Sequence, residues 1–451
     1  MKDSATVYNH EEFDIKEEKV NQRIKVIRQE RVSASEEPFF LEINNVSYKI
    51  LDYSLFGVAI ESQEKIGTDF ETHEAHFIYD NVDLGAYHVR VTRSQPMGDQ
   101  FLVAFEIIGE PLNLEQLRAI KESLQIIQEQ EDYVQDLQQV PPEIKATVYE
   151  FYDWMHHLEK KINALEKHQN KSDMKSMSDF ESAVVAVFSD YFARTLPKNL
   201  EALEKELNKL NEAGQKVSIQ FLREQLKDTI YQSPFSHRVF YKPLGYAGDY
   251  EMMNLIYKNE AVGESLFQKC LHKYYVEEPA AQAVRNRVKY FGRQIKERFD
   301  LNPGKTLSFL SVACGPAMEW QEFIKNTPDL EKYTADVYLL DQDKEALLNA
   351  QKQLKHLSAK YKNNIKFHFV NKAIKNLIVE GIRENVKFDL IYSSGLFDYL
   401  TTPVAQMTAQ KLHEELKPGG ELIIGNFNTT NPDTSLMTLI LDWHLIYRTP
   451  E

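Results

Sequence analysis

Cysteine is nearly absent from this chain. Only Cys270 and Cys314 occur, far apart in sequence. Such a pair builds no disulfide framework, and no Cys/His spacing of a zinc site is present, so a reducing compartment and no metal centre are expected. Basic charge is also short: 53 Lys and Arg stand against 68 Asp and Glu, a net charge of −15. Non-specific affinity for nucleic acid rests on cationic contacts to phosphate, so nucleic acid is not an expected partner. Long apolar runs are missing too. None approaches the roughly 20 residues of a membrane span. The opening MKDSATVYNHEEFD is polar and acidic and has no apolar signal core. A cytoplasmic protein without an integral membrane segment is expected. No internal repeat with a period of about 20–50 residues is found, which excludes a solenoid. What is present is the ordinary composition of a folded chain, 43% hydrophobic and 27% charged over 451 residues, enough for two or three cores.

The hydrophobic period divides the chain into three. From Phe39 to Ile108 it is close to two, and FFLEI, VSYKIL, GVAIES, AHFIYD, AYHVRVTR and FLVAFEII read as short strands between polar turns. Residues 1–112 are therefore expected to hold a small antiparallel sheet or barrel. Residues 113–232 take helical spacing. One long helix ends at Pro141-Pro142. A second carries Val148, Phe151, Met155, Leu158, Ile162 and Leu165 along one stripe. Three more are expected at about 177–194, 198–212 and 216–230. This third shows no catalytic pattern and suits a connector or a homodimerising bundle. In residues 233–451, short apolar runs alternate with helical segments after Pro303, the pattern of a parallel sheet covered on both faces. The fold class is multidomain α+β, with a β-barrel, a helical middle and a Rossmann-like sheet.

The strand LSFLSVA runs into Cys314-Gly315-Pro316-Ala317 and then a helix. Glycine at a strand-to-helix turn lets backbone approach a ligand that a side chain would block. The next strand, VYLLD, ends in Asp341 with Gln342 beside it; a carboxylate there can accept both ribose hydroxyls of an adenosine ligand. The third ends in Val370-Asn371-Lys372-Ala373, where contacts to an adenine edge are expected. The fourth ends in the small turn Ser393-Ser394-Gly395, and LKPGGELIIGNF supplies a Pro-Gly-Gly turn and a fifth strand. Over roughly residues 300–430 this succession resembles class I S-adenosylmethionine (SAM) dependent methyltransferases, which implies SAM as cofactor. The family's acidic-x-Gly-x-Gly-x-Gly turn here reads Ser311-Val312-Ala313-Cys314-Gly315-Pro316-Ala317. Only the central glycine remains, alanines replace the other two, and Ser311 replaces the acid. Glu319, on the following helix, is placed to reach the methionine end of the cofactor. The family sheet normally closes with an antiparallel hairpin. Here SLMTLILDWHLIYRT reads as a helix instead, and the last two strands look to be missing.

The segment PFSHRVFYKPLGYAGDYEMMN precedes the sheet and is dense in Gly, Pro and Tyr. This composition suits either a lid over cofactor and substrate or a loop packed by its own tyrosines. With Arg285-Asn286-Arg287 and ACGPAMEW it resembles, over about 230–430, bacterial enzymes that make 3-hydroxypalmitic acid methyl ester, an extracellular signalling factor. That resemblance implies a fatty-acid-like acceptor. A carboxylate acceptor needs no base, only groups to hold it: Tyr241, Lys242, Tyr246, Tyr250, Arg285 or Arg287. A hydroxyl or amine acceptor would call on His237 or Asp249 as base.

In the first third, Asp52-Tyr53-Ser54-Leu55-Phe56-Gly57 fits the D-x-S-x-x-G motif. Over about residues 20–112 the chain resembles PilZ domains, small β-barrels that bind cyclic di-GMP. In that family an upstream R-x-x-x-R pair grips guanine and phosphate. Here Arg28 and Arg31 stand one residue too close, leaving that half of the motif imperfect. Two functions follow from these resemblances: a methyltransferase regulated by cyclic di-GMP, or a non-enzymatic cyclic di-GMP scaffold with a degenerate methyltransferase domain.

Overall fold

The computed structural model describes residues 31–168, 173–361, 364–382 and 386–449. Arg28 lies outside them. The chain folds as two compact units, Met1–Val134 and Gln135–Glu451.

In the first unit the expected strands are all present: β2 (Phe39–Ile43), β3 (Val46–Ser54), β4 (Gly57–Ser62), β5 (Glu71–Tyr79), β6 (Val82–Met97) and β7 (Gln100–Ile108), with a two-residue β1 (Val32–Ser33) beside β3. They pair in the order β3-β2-β5-β6-β7-β4, and β4 returns to β3, which closes an antiparallel barrel and removes its open edges. Two hairpins are set locally. Asn44-Asn45 and Asp80-Asn81 each place both residues at positive φ, the type I′ geometry that matches strand twist and that Asn and Asp tolerate. Alternation then turns Phe39, Leu41, Phe77, Val89 and Phe105 into a single core.

The second unit begins along α1 (Leu114–Gln139) and continues with α2 (Pro142–Ala164), α3 (Met174–Leu207) and α4 (Glu212–Ile230). The two helices expected at 177–194 and 198–212 are in fact one. Pro197 lies inside α3, where it removes a helix hydrogen bond, a loss of about 3 kcal/mol. Phe192, Leu196, Leu200 and Leu203 outweigh it: all are buried along one stripe, at roughly 1.5–3 kcal/mol each. The same core takes in α5 (Pro234–Tyr241), α6 (Tyr250–Lys258), α7 (Leu266–Glu277), the first turns of α8 (Pro279–Asp300) and the late segment Leu436–Trp443.

A parallel sheet follows: β8 (Thr306–Val312), β9 (Thr334–Asp341), β10 (Asn364–Asn371), β11 (Phe388–Ser393) and β12 (Leu416–Ile424), in the order β10-β9-β8-β11-β12. Between the strands lie α9 (Met318–Asn326), α10 (Lys344–Lys360), α11 (Ile374–Glu380) and α12 (Thr402–Glu414). The Pro-Gly-Gly turn bulges out of β12, so that Leu416 faces Phe388 and Glu421 faces Leu390. Among the described residues no further strand joins this sheet.

The helix expected over residues 435–449 does not form. One π-type turn, Leu436–Ile440, gives way to an irregular strap. Its backbone is claimed by tertiary partners instead. Ile446 N–H donates to the carbonyl of Asp398 at 2.7 Å. The Arg448 guanidinium donates to the carbonyls of Phe397 and Leu400 at 2.5 Å each and to Asn426 Oδ1 at 2.6 Å.

At the N-terminus of α8, the half-buried Glu278 faces the carboxyl of Asp433, which accepts the Ala280 N–H at 2.5 Å. Burial first, and then the neighbouring carboxylate, push Glu278 well above the ordinary carboxyl range. A group that holds its proton more tightly when folded loses stability as pH rises from its unfolded to its folded pKa. Glu278→Gln should therefore stabilise the protein more at pH 8 than at pH 5. Chemical denaturation at the two pH values measures this, and an equal effect at both would contradict it.

Candidate active site

A cavity of about 450 Å³ opens at the carboxyl ends of the parallel strands, where open α/β sheets place their ligands. Its floor is built by consecutive strand ends. After β8 the backbone turns through Ala313 at φ 54°, Gly315 at φ 51° and Ala317 at φ 50°. The two alanines that replace family glycines thus still take the left-handed conformation, at about 1–2 kcal/mol each. A Cβ on Gly315 would meet no protein atom within 4 Å. The bare backbone there faces open space, a cradle a side chain would fill.

Asp341, at the end of β9, is buried. Its Oδ2 accepts the Gly315 N–H and its Oδ1 the Asp343 N–H, both at 2.9 Å. Each oxygen keeps a lone pair for another donor. Burial raises its pKa, and the two backbone N–H groups pull the other way. Glu319, on the first turn of α9, is also buried and has a raised pKa, chiefly through desolvation. Its Oε1 accepts the Tyr392 hydroxyl at 2.7 Å and lies 3.3 Å from Ser311 Oγ. A carboxyl group thus reaches Ser311, the position where the family motif carries its acid.

The second wall comes from three distant segments. Arg287 on α8 donates to the carbonyl of Ser394 at 2.6 Å and pairs with Asp398 at 3.1 Å. Its guanidinium lies over the Phe427 ring, 4.5 Å from the centroid. Asp398 also accepts the Phe427 N–H at 2.5 Å. Tyr399 accepts a hydrogen bond from Trp443 Nε1 at 2.8 Å. Against this pair rests the segment that carries Gly248: a Cβ there would fall 2.4 Å from the Tyr399 hydroxyl and 3.3 Å from the Trp443 ring. Tyr246, beside Gly248, lines the cavity. Burial and the carboxylates of Asp341 and Asp343 raise its pKa, so it stays a hydrogen-bond donor.

Of the residues singled out from sequence, Ala313, Cys314, Gly315, Pro316, Glu319, Asp341 and Gln342 line this cavity. So do Lys372, Ser394, Gly395, Tyr246, Tyr250 and Arg287. The others stand outside its lining. Asn371 ties down the loop after β9, donating to the carbonyls of Asp341 and Gln342 at 3.1 and 2.9 Å. Ala373 is the N-cap of α11, and Ser393 donates to the Val312 carbonyl at 3.0 Å. His237 and Tyr241 lie exposed on α5 with rings 4.6 Å apart. Lys242 pairs with Asp442, and Arg285 donates to the carbonyls of Ile256 and Val276. Asp249 is fully buried; it caps α6 through the Met252 N–H and pairs with Arg238, both at 2.8 Å.

Sequence reading missed Met253, Tyr257, Leu396, Asp398, Tyr399, Phe427, Trp443 and Leu445, all in the lining. For Asp398 a signal existed, a carboxylate set in the apolar run GLFDYL after the fourth strand. The strap residues carried none, because their spacing reads as a helix.

Residues 303–445 match the family model described as a methyltransferase domain. The match shows this part of the chain to be similar to methyltransferase domains. No curated protein matches the chain. Among solved structures it is similar to a possible exported protein from Bordetella parapertussis, at 18% identity and a TM-score of 0.31, over 54% of this chain and 70% of that one. It is similar also to magnesium protoporphyrin IX methyltransferase from Synechocystis with bound SAH, at 16% identity and a TM-score of 0.29, over 38% and 72%. A third is the CurJ carbon methyltransferase, at 12% identity and a TM-score of 0.31, over 67% and 84%. Coverage of the matched chains varies widely, down to 15% for the small RNA methyltransferase HEN1.

The close approach at Gly248 yields a direct test. Gly248→Ala should displace the Gly248 backbone or Tyr399 and lower stability by about 1–3 kcal/mol, as overpacking does. An unchanged thermal midpoint would show that Gly248 does not pack against Tyr399 and Trp443.

Proposed function

We propose that the protein transfers the methyl group of SAM to the carboxylate of a fatty-acid-like acceptor. The observation that carries this is the charge of the cavity. Its two acids without an ion-pair partner, Glu319 and Asp341, lie at the strand ends, whereas Arg287, paired with Asp398 through Nη1, lies over Phe427 in the half that Val284 and Trp443 also line. A cationic cofactor suits the first half and an anionic acceptor with an apolar tail suits the second.

The residues present fit the cofactor. The cradle at Gly315 admits a ligand against bare backbone, Asp341 has lone pairs left for ribose hydroxyls, and Glu319 would offset a positive amino-acid end. When bound, SAM supplies an activated sulfonium methyl, so the protein has mainly to align the acceptor and exclude water. The phenol of Tyr246 would hold the acceptor carboxylate together with Arg287, whose bonds to Ser394 and Asp398 both take Nη1 and so leave Nη2 and Nε for it. The lid segment and the aromatic wall of Tyr399 and Trp443 would keep water out. The base candidates His237 and Asp249 lie outside the lining, and this favours an acceptor that is already a nucleophile over a hydroxyl or amine. Lys372 is held by Glu380 and the Gly381 carbonyl, both at 3.0 Å, which leaves it a minor contributor to an anion site.

The barrel supports a regulatory ligand. Arg31 pairs with Asp52, Ser54 Oγ lies 3.4 Å from the Gly57 carbonyl, and a Cβ on Gly57 would stand 3.5 Å from Arg31 Nη2. Asp52 and Gly57 thus lie against one exposed guanidinium with Ser54 beside Gly57, an arrangement suited to a nucleotide phosphate or guanine. Cyclic di-GMP is the ligand this arrangement favours.

Two measurements test these readings. Calorimetric titration with SAM and S-adenosylhomocysteine should give micromolar binding. Asp341→Ala should weaken it roughly 10- to 100-fold, the worth of hydrogen bonds to a charged group. Absence of binding would favour a non-enzymatic scaffold. Separately, cyclic di-GMP should bind the full chain and change the methylation rate of a 3-hydroxy fatty acid. Arg31→Ala should abolish both effects while leaving the basal rate intact, and a rate indifferent to the nucleotide would remove the regulatory reading.

A further inference from the structure

On the outside of the barrel, three side chains with metal-ligand chemistry converge. They are Glu71 and His73 on β5 and His88 on β6, with one ligand atom from each lying within 4.8 Å of the others. The strand register explains how they meet. Thr72 faces Val89 and Ala75 faces Tyr87, so two residues of β5, His73 and Glu74, stand opposite the single residue His88. This is a β-bulge, a device that re-aims side chains. Before the bulge, Glu71 and His73 point outward. After it, Ala75 and Phe77 are fully buried. The inward phase therefore shifts by one residue, which brings His73 out over His88. Their rings stack with centroids 3.7 Å apart and planes 26° from parallel.

Glu71 completes the group because its cross-strand partner is engaged elsewhere. Arg90 faces Glu71 across the ladder, yet its guanidinium goes to Glu106 on β7 at 2.9 Å. The Glu71 carboxylate turns to His88 Nε2 instead, at 2.5 Å.

We propose that Glu71, His73 and His88 form a three-ligand site for a divalent transition metal, with zinc the best match. Two imidazoles and one carboxylate are a borderline donor set suited to zinc, and three protein ligands leave a position open to solvent water. Ligand atoms of tetrahedral zinc stand roughly 3.3 Å apart, given metal–ligand distances of 2.0–2.1 Å. The exposed side chains Glu71 and His73 can close that gap by small rotations, while the paired strands hold their backbones in place. The spacing of Cys and His along the chain did not predict the site, because its ligands become neighbours only through strand pairing and the bulge.

The test is titration of the full chain with zinc chloride by calorimetry, with cobalt(II) absorption in the visible as a second readout. One equivalent should bind with micromolar affinity and give ligand-field bands. His73→Ala and His88→Ala should each weaken binding at least about tenfold, the double variant should remove it, and Glu71→Gln should weaken it and alter the cobalt spectrum. His76→Ala, on the same strand but paired with Asp83 at 2.8 Å, should bind as the parent does. All four positions lie on the barrel's outer face, and far-UV circular dichroism checks that each variant folds. Absence of zinc binding overturns the proposal. So does binding that survives in the double variant, or that falls equally in His76→Ala.

Discussion

The buried carboxyl of Asp398 holds the half of the cavity around Arg287 and Phe427 together. Its side chain is only 3% exposed, and a carboxylate so placed must be satisfied several times over. Arg287 brings α8 to it, the Phe427 N–H brings the segment that follows β12, and its own backbone carbonyl receives Ile446 from the strap. Three segments distant in sequence are thus fixed around one charge. Desolvation raises the Asp398 pKa, and Arg287 is the main force opposing that rise. With the strap tied to Asp398 through Ile446, Trp443 donates to Tyr399, and Gly248 packs against both.

The cofactor half obeys a different constraint. Its parts come from successive strand ends, so the parallel sheet alone lines them up. Asp341 then joins two of these ends by accepting the N–H of Gly315. The left-handed turn that presents that N–H is strained at both flanking alanines. Such strain persists where surrounding structure over-determines the backbone, and it clusters at ligand sites. The replaced acid of the motif is similarly offset. Ser311 no longer carries a carboxyl group, but Glu319 delivers one from the next helix.

Much of this was legible beforehand because it is periodic or local. Strand alternation exposed the barrel, and the hairpin residues Asn44-Asn45 and Asp80-Asn81 agree with it. The succession of apolar runs and helices exposed the parallel sheet, and with it Gly315, Asp341 and Ser394. Reading went astray where local signals met stronger tertiary ones. Pro197 suggested a break that the buried stripe of α3 overrides. The 435–449 segment has helical spacing, yet its backbone groups find better partners on Asp398, Phe397 and Leu400. Lys242 and Arg285 look like anion binders in sequence, but one is taken by Asp442 and the other by two carbonyls.

The sequence by itself determined which segments are strands and helices, their order, and the backbone turn that opens a cofactor cradle. These depend on neighbours within a few residues, where periodicity and turn chemistry act. Only the tertiary structure decided what encloses the second half of the cavity and which charged groups face it. Those outcomes depend on pairing between Arg287, Asp398 and the strap, and between strands β5 and β6 at the bulge. Such pairings are selected by burial and by competition for hydrogen-bond partners, and neither leaves a fixed spacing in the chain.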